Sequence, residues 1–72
     1  MQRALRNICC EFSDSYVCED TNLYFIISAK VDADDLTDFA QVLNPFGFEL
    51  QEVKASSDLS PQCLAIFIKP HN

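Results

Sequence analysis

Glycine is almost missing from this chain, with Gly47 the single example in 72 residues. A phosphate-cradling loop or a nucleophile elbow needs several glycines at set spacing, so neither can be built. Histidine also occurs once, as His71. A serine or cysteine nucleophile elsewhere has no second imidazole to act as its base. Basic residues are scarce: five Lys and Arg stand against eleven Asp and Glu, for a net charge of −6. Such a surface repels phosphate backbones, which argues against direct nucleic-acid binding.

Long apolar runs are missing too. None reaches the ~20 residues of a transmembrane helix. Arg3 and Arg6 precede only a short apolar run that Glu11 interrupts, which is not the pattern of a secretory signal. The expectation is a cytoplasmic protein with no membrane contact.

The four cysteines lack a metal-site spacing. Cys9 and Cys10 are adjacent, Cys18 follows eight residues later, and Cys63 is remote. No Cys-x-x-Cys pair occurs, and a reducing compartment keeps thiols free. Cys10, on the outer side of a helical reading, is the one candidate for redox chemistry. The Asp32, Asp34, Asp35 run does not make a calcium loop. Its twelfth position is Leu43, and no glycine lies between. No cofactor, metal or catalytic residue is expected, and a chain this short has little room for a ~300 Å³ pocket.

What is present is apolar mass. Hydrophobic residues make up 49% of the chain, enough for one compact domain over residues 1–72. Such a short domain buries only about 60% of its unfolded surface, so its core must be dense or shared.

Residues 23–31 are rich in β-branched and aromatic side chains and read as a strand. Leu23, Phe25, Ile27, Ala29 and Val31 fall on one face, and Tyr24, Ile26, Ser28 and Lys30 on the other. A helix follows at once. Asp32 is placed as its N-cap, with Asp35 three residues on as a capping-box partner. Leu36, Phe39, Ala40 and Leu43 form one apolar stripe, while Asp34, Asp38 and Gln41 point outward. Pro45 ends the helix, and Gly47 takes the turn that follows.

Residues 1–13 admit a helix or a strand. The spacing of Ala4, Leu5, Ile8, Cys9 and Phe12 favours the helix. Residues 13–22 read as a polar loop whose Tyr16 and Val17 fold over the core or form a contact site. Residues 48–55 are a second strand, with a bulge where Val53 breaks the phase set by Leu50. Residues 56–62 form a loop, in which Ser60-Pro61 reads as a turn. Residues 63–69 are a last strand, and His71 belongs to a free tail.

The order is then α-β-α-β-β. It implies an α+β domain with a three-stranded antiparallel sheet, the last strand central and the helices on one face. This arrangement resembles half of a ferredoxin-like unit. The opposite face is expected to show Tyr24, Ile26, Val53, Cys63, Ala65 and Phe67, an apolar set that calls for a second copy or a partner.

In size and acidity the chain resembles the small inhibitors that phages and mobile elements direct against host proteins. The resemblance implies a non-catalytic interaction module that binds, and by binding inhibits, a basic nucleic-acid-handling protein. The candidate contacts are Asp34, Asp35, Asp38, Glu49, Glu52, Tyr24 and Phe67. The alternative is a structural or regulatory subunit that forms a homodimer through its apolar sheet face.

Overall fold

The computed structural model describes residues 3–55 and 61–71. Helix α1 (Arg3–Phe12) leads into strand β1 (Tyr16–Asp20) and strand β2 (Tyr24–Asp32). A 3-10 turn (Ala33–Asp35) opens helix α2 (Leu36–Leu43), and a second 3-10 turn (Asn44–Phe46) closes it. Strands β3 (Glu49–Ala55) and β4 (Gln62–Pro70) complete the chain. The four strands form one antiparallel sheet in the order β1-β2-β4-β3. The class is the expected α+β, and β4 lies between β2 and β3 as anticipated.

The sheet has four strands rather than three, and the element order is α-β-β-α-β-β. The extra strand is β1, from a segment read as a loop. It pairs with β2 from Tyr16↔Ala29 to Asp20↔Phe25. An edge strand tolerates polar residues, so its five residues carry little apolar signal. Thr21 closes the hairpin. Its amide donates to the Tyr24 carbonyl at 2.8 Å, and its Oγ1 accepts from the Tyr24 amide at 3.0 Å. Moving β4 to the front gives the connectivity β-α-β-β-α-β of ferredoxin-like units.

Both helices cover one face. Leu5 and Cys9 of α1 and Phe39 and Leu43 of α2 share a buried cluster with Ile27, Ala29, Val31, Phe48, Cys63, Ala65 and Phe67. Three rings link the layers. Phe39 stacks on Phe12 at 5.2 Å and meets Phe67 edge-on, also at 5.2 Å. Such aromatic pairs add about 0.5–1.5 kcal/mol each to the burial of their area.

The stripe expected of α2 is present, with Phe39 and Leu43 buried and Asp34, Asp38 and Gln41 exposed. Its start differs. Asp32 is extended (φ −64°, ψ 141°) and precedes a 3-10 turn, and neither it nor Asp35 makes a side-chain capping bond. The second 3-10 turn ends at Gly47, whose φ of 91° is a left-handed conformation that costs other residues energy. The bulge in β3 lies between Leu50 and Glu52, close to where the phase broke.

Two placements are reversed. Cys63, Ala65 and Phe67 were expected on the uncovered face, but they are buried under the helices, Phe67 at 1% exposure. Direct neighbours across a ladder share a face, and β4 pairs Ala65 with the buried Ala29 and Phe67 with the buried Ile27. Val53 likewise lies opposite Ala65 on the helix side, although 43% exposed at the sheet edge. His71 is no free tail. Its amide donates to the Leu23 carbonyl at 3.2 Å, and its ring lies 4.2 Å from that of Phe25. Ser60 and most of the expected 56–62 loop fall outside the described residues.

Candidate interaction surface

The register defines the uncovered face row by row. One row runs Glu19, Ile26, Ile68, Glu49 across the four strands. The next runs Val17, Ser28, Ile66, Glu52. Towards the other end of the strands, Lys30, Leu64 and Lys54 form a third. Ile26, Leu64, Ile66 and Ile68 are half-buried by their own neighbours, and Val17 is 55% exposed. No described helix covers them.

Charge on this face is segregated. Carboxylates flank the Ile26–Ile68 row, and lysines flank the Leu64 row. The exposed Asp32 lies one row beyond Lys30, and Glu52 lies between the two rows, 3.8 Å from the Lys54 ammonium. That exposed pair is worth at most about 1 kcal/mol. The centre of the face offers no titratable side chain, so its chemistry is apolar contact bounded by charge.

A second concavity lies on the helix side, beyond the reach of the helices. It is a half-open groove of ≈ 590 Å³ between Leu5 and Phe46, floored by Phe25, Ile27 and Phe48, with Glu19, Asp20 and Lys69 on its rim. The expectation that so short a chain lacks such a volume is therefore corrected. The helices are shorter than β2 and β4, which leaves one end of the sheet open. His71 braces that end. Its Nε2 lies 2.8 Å from both the Asp20 carboxylate and the Thr21 carbonyl. Two acceptors at that distance require the proton on Nε2.

The thiols divide between α1, β1 and β4. Cys9 is fully buried, and burial pushes its pKa up to about 11, with Cys18 and Cys10 adding to the shift. Cys10 is exposed and lies 3.5 Å from the Tyr16 hydroxyl, a contact that raises the Tyr16 pKa. Cys18 is exposed, and partial desolvation raises its pKa. Raised pKa values withhold thiolate and so work against nucleophilic chemistry. Among the described residues, no group of three or more His, Cys, Asp or Glu is placed to hold a metal ion.

The residues singled out from sequence fall in three places. Tyr24, Glu49 and Glu52 lie on the uncovered face. Asp34, Asp35 and Asp38 are exposed on the turn and first turn of α2, away from it. Phe67 is in the core. The sequence reading missed Glu19, Leu64, Ile66 and Ile68; it offered Val17 as an alternative contact and placed Lys30 on the face of Tyr24 and Ile26 without a role. Only the pairing register assigns these to one surface, although the unbroken apolar character of residues 63–68 signalled that both faces of β4 would be apolar. No protein-family model, curated protein or solved structure matches this chain. No helix among the described residues is long and apolar enough to cross a membrane.

Proposed function

We propose that this chain is a non-catalytic, acidic protein-interaction module that binds a basic protein and inhibits it by occupying its basic surface. The observation that carries this reading is the state of the α2 acids. Asp32, Asp34, Asp35 and Asp38 are all exposed, and none has an ion-pair partner among the described residues. Capping was the structural explanation for this run, yet no capping bond forms. Like charges three and four residues apart disfavour a helix by a few tenths of a kcal/mol per pair. The helix dipole favours anions in the first turn by a similar amount, so the run is close to neutral for local stability, and its exposed carboxylates stay free for a partner.

A protein that handles nucleic acid presents the kind of basic surface such a run attracts. Long-range attraction of this kind raises the association rate and weakens with salt. The test is capture from lysate at low salt on two baits, the native chain and the Asp34→Lys/Asp38→Lys variant. The native bait should retain a basic protein that elutes with salt and that the variant fails to hold. Equal retention on both baits would remove α2 from the contact.

A further inference from the structure

We infer that the uncovered sheet face is the interface of a homodimer, with two copies stacked face to face about a two-fold axis running across the strands. The inference is independent of Asp34, Asp35 and Asp38, which lie off this face; Asp32 ends β2 one row beyond Lys30.

The charge pattern selects the occupant. Along the strands the face changes sign, from Glu19 and Glu49 beside the Ile26–Ile68 row to Lys30 and Lys54 beside Leu64. A two-fold axis across the strands through the Val17–Ser28–Ile66 row exchanges the two ends. Glu49 then lies over Lys54 of the second copy and Glu19 beside its Lys30, while Ile68 meets Leu64, Ile26 meets the stem of Lys30, and Val17, Ser28 and Ile66 meet their own counterparts. Glu52 also meets its counterpart, each carboxylate with a Lys54 ammonium 3.8 Å away on its own strand. An axis along the strands would set Glu19 against Glu49 and leave the lysines without acids. Two Glu49–Lys54 and two Glu19–Lys30 contacts thus outweigh the single Glu52–Glu52 contact, and the face is better matched to itself in this orientation than in the other, as an isologous interface requires.

The shape agrees. Aligned sheets stack about 10 Å apart with strands within roughly 30° of each other, which suits flat rows of Ile, Leu and Val. Four strands at a spacing of ~4.8 Å and a central pair nine residues long give a projected footprint of about 500 Å². The accessible area of a corrugated surface exceeds its projection, so each copy approaches the ~600–800 Å² of the smaller stable interfaces. The result is a four-layer assembly with helices outside and eight strands within. It carries its two acidic α2 turns at opposite ends.

The test is a charge swap read by sedimentation equilibrium. The native chain should be a dimer at micromolar concentration. Lys30→Glu/Lys54→Glu makes the face acidic at both ends, and Glu19→Lys/Glu49→Lys makes it basic at both ends. Each variant alone should be a folded monomer by circular dichroism, its self-affinity reduced at least ~10-fold at low salt. An equimolar mixture of the two should form a heterodimer. Ile66→Asp should be monomeric alone and in any mixture. A native chain that is monomeric at 100-fold higher concentration would overturn the inference, as would folded variants that still self-associate or fail to pair. A monomer that still captures a basic protein would leave the proposed function standing without the dimer, and a dimer that captures nothing would do the reverse.

Discussion

The two faces of the sheet differ in the opposite sense to their hydropathy. On β4 the covered face carries Cys63, Ala65 and Phe67, while the uncovered face carries Leu64, Ile66 and Ile68. The more uniformly aliphatic set faces outward. What the helices require is shape as well as apolarity. Ala29 and Ala65 face each other in register and leave a low patch on the sheet. The helices pack closely over it, and Phe39 stands between Phe12 and Phe67. Interiors are close-packed, so the face with alternating large and small side chains is the one that accepts a helix. A flat aliphatic face suits another flat face.

The sharpest break of this contrast uses adjacent residues of one strand. Phe67→Ala should cost about 3–5 kcal/mol, most of the stability of a domain this small. Ile66→Ala should cost about 1 kcal/mol in the monomer, because its side chain is already half-exposed. Urea unfolding followed by circular dichroism measures both, in the monomeric Glu19→Lys/Glu49→Lys background. Equal losses would mean the faces are wrongly assigned.

The thiols sharpen the same contrast. Cys9 faces the core and Cys10, its neighbour, faces out. Burial holds the proton on Cys9 to about pH 11 in the folded chain, against 9.0 for a free thiol. The folded state therefore binds more protons between those values. Its contribution is full below pH 9 and is lost as pH rises towards 11. Midpoints of unfolding across that range should fall, and Cys9→Ala should flatten the slope. An aromatic disulfide reagent at neutral pH should modify Cys10 well before Cys9.

Smaller effects belong to the open end of the sheet. Gly47→Ala should cost about 1–2 kcal/mol, because alanine resists a left-handed backbone. The added Cβ would also sit 3.3 Å from Lys69 Cε, a flexible chain able to move aside. His71→Ala should cost about 1 kcal/mol or less, because its contacts are exposed. The loss should appear as faster amide exchange in the β1–β2 hairpin rather than as global unfolding.

Much of the architecture was legible in local pattern. The helical spacing of Leu5, Ile8, Cys9 and Phe12 defined α1, and the Leu36–Phe39–Leu43 stripe defined α2. The alternation in residues 23–31 set the inward face of β2 at Ile27, Ala29 and Val31, whereas Leu23 precedes the strand and both it and Phe25 are exposed at the open end. Pro45 and Gly47 marked the turn, and a broken phase marked the bulge. Each of these signals comes from residues within about a turn or a ladder step of one another. The site was less legible. Glu49, Glu52 and Tyr24 were chosen for chemistry, and they share a surface with Lys30 and Lys54 only because three strands place them side by side.

The sequence by itself determined both helices, three of the four strands, the acidic charge and the scarcity of glycine and histidine, because these are properties of composition and of neighbouring residues. Tertiary structure alone decided three things. It made residues 16–20 a strand, since an edge strand is held by its neighbour's hydrogen bonds and not by its own apolar content. It turned Phe67 inward, since the phase of a strand apolar on both faces is set by the register with β2. It also set Glu19 and Glu49 at one end of a surface and Lys30 and Lys54 towards the other, since that order exists only across strands far apart in the chain.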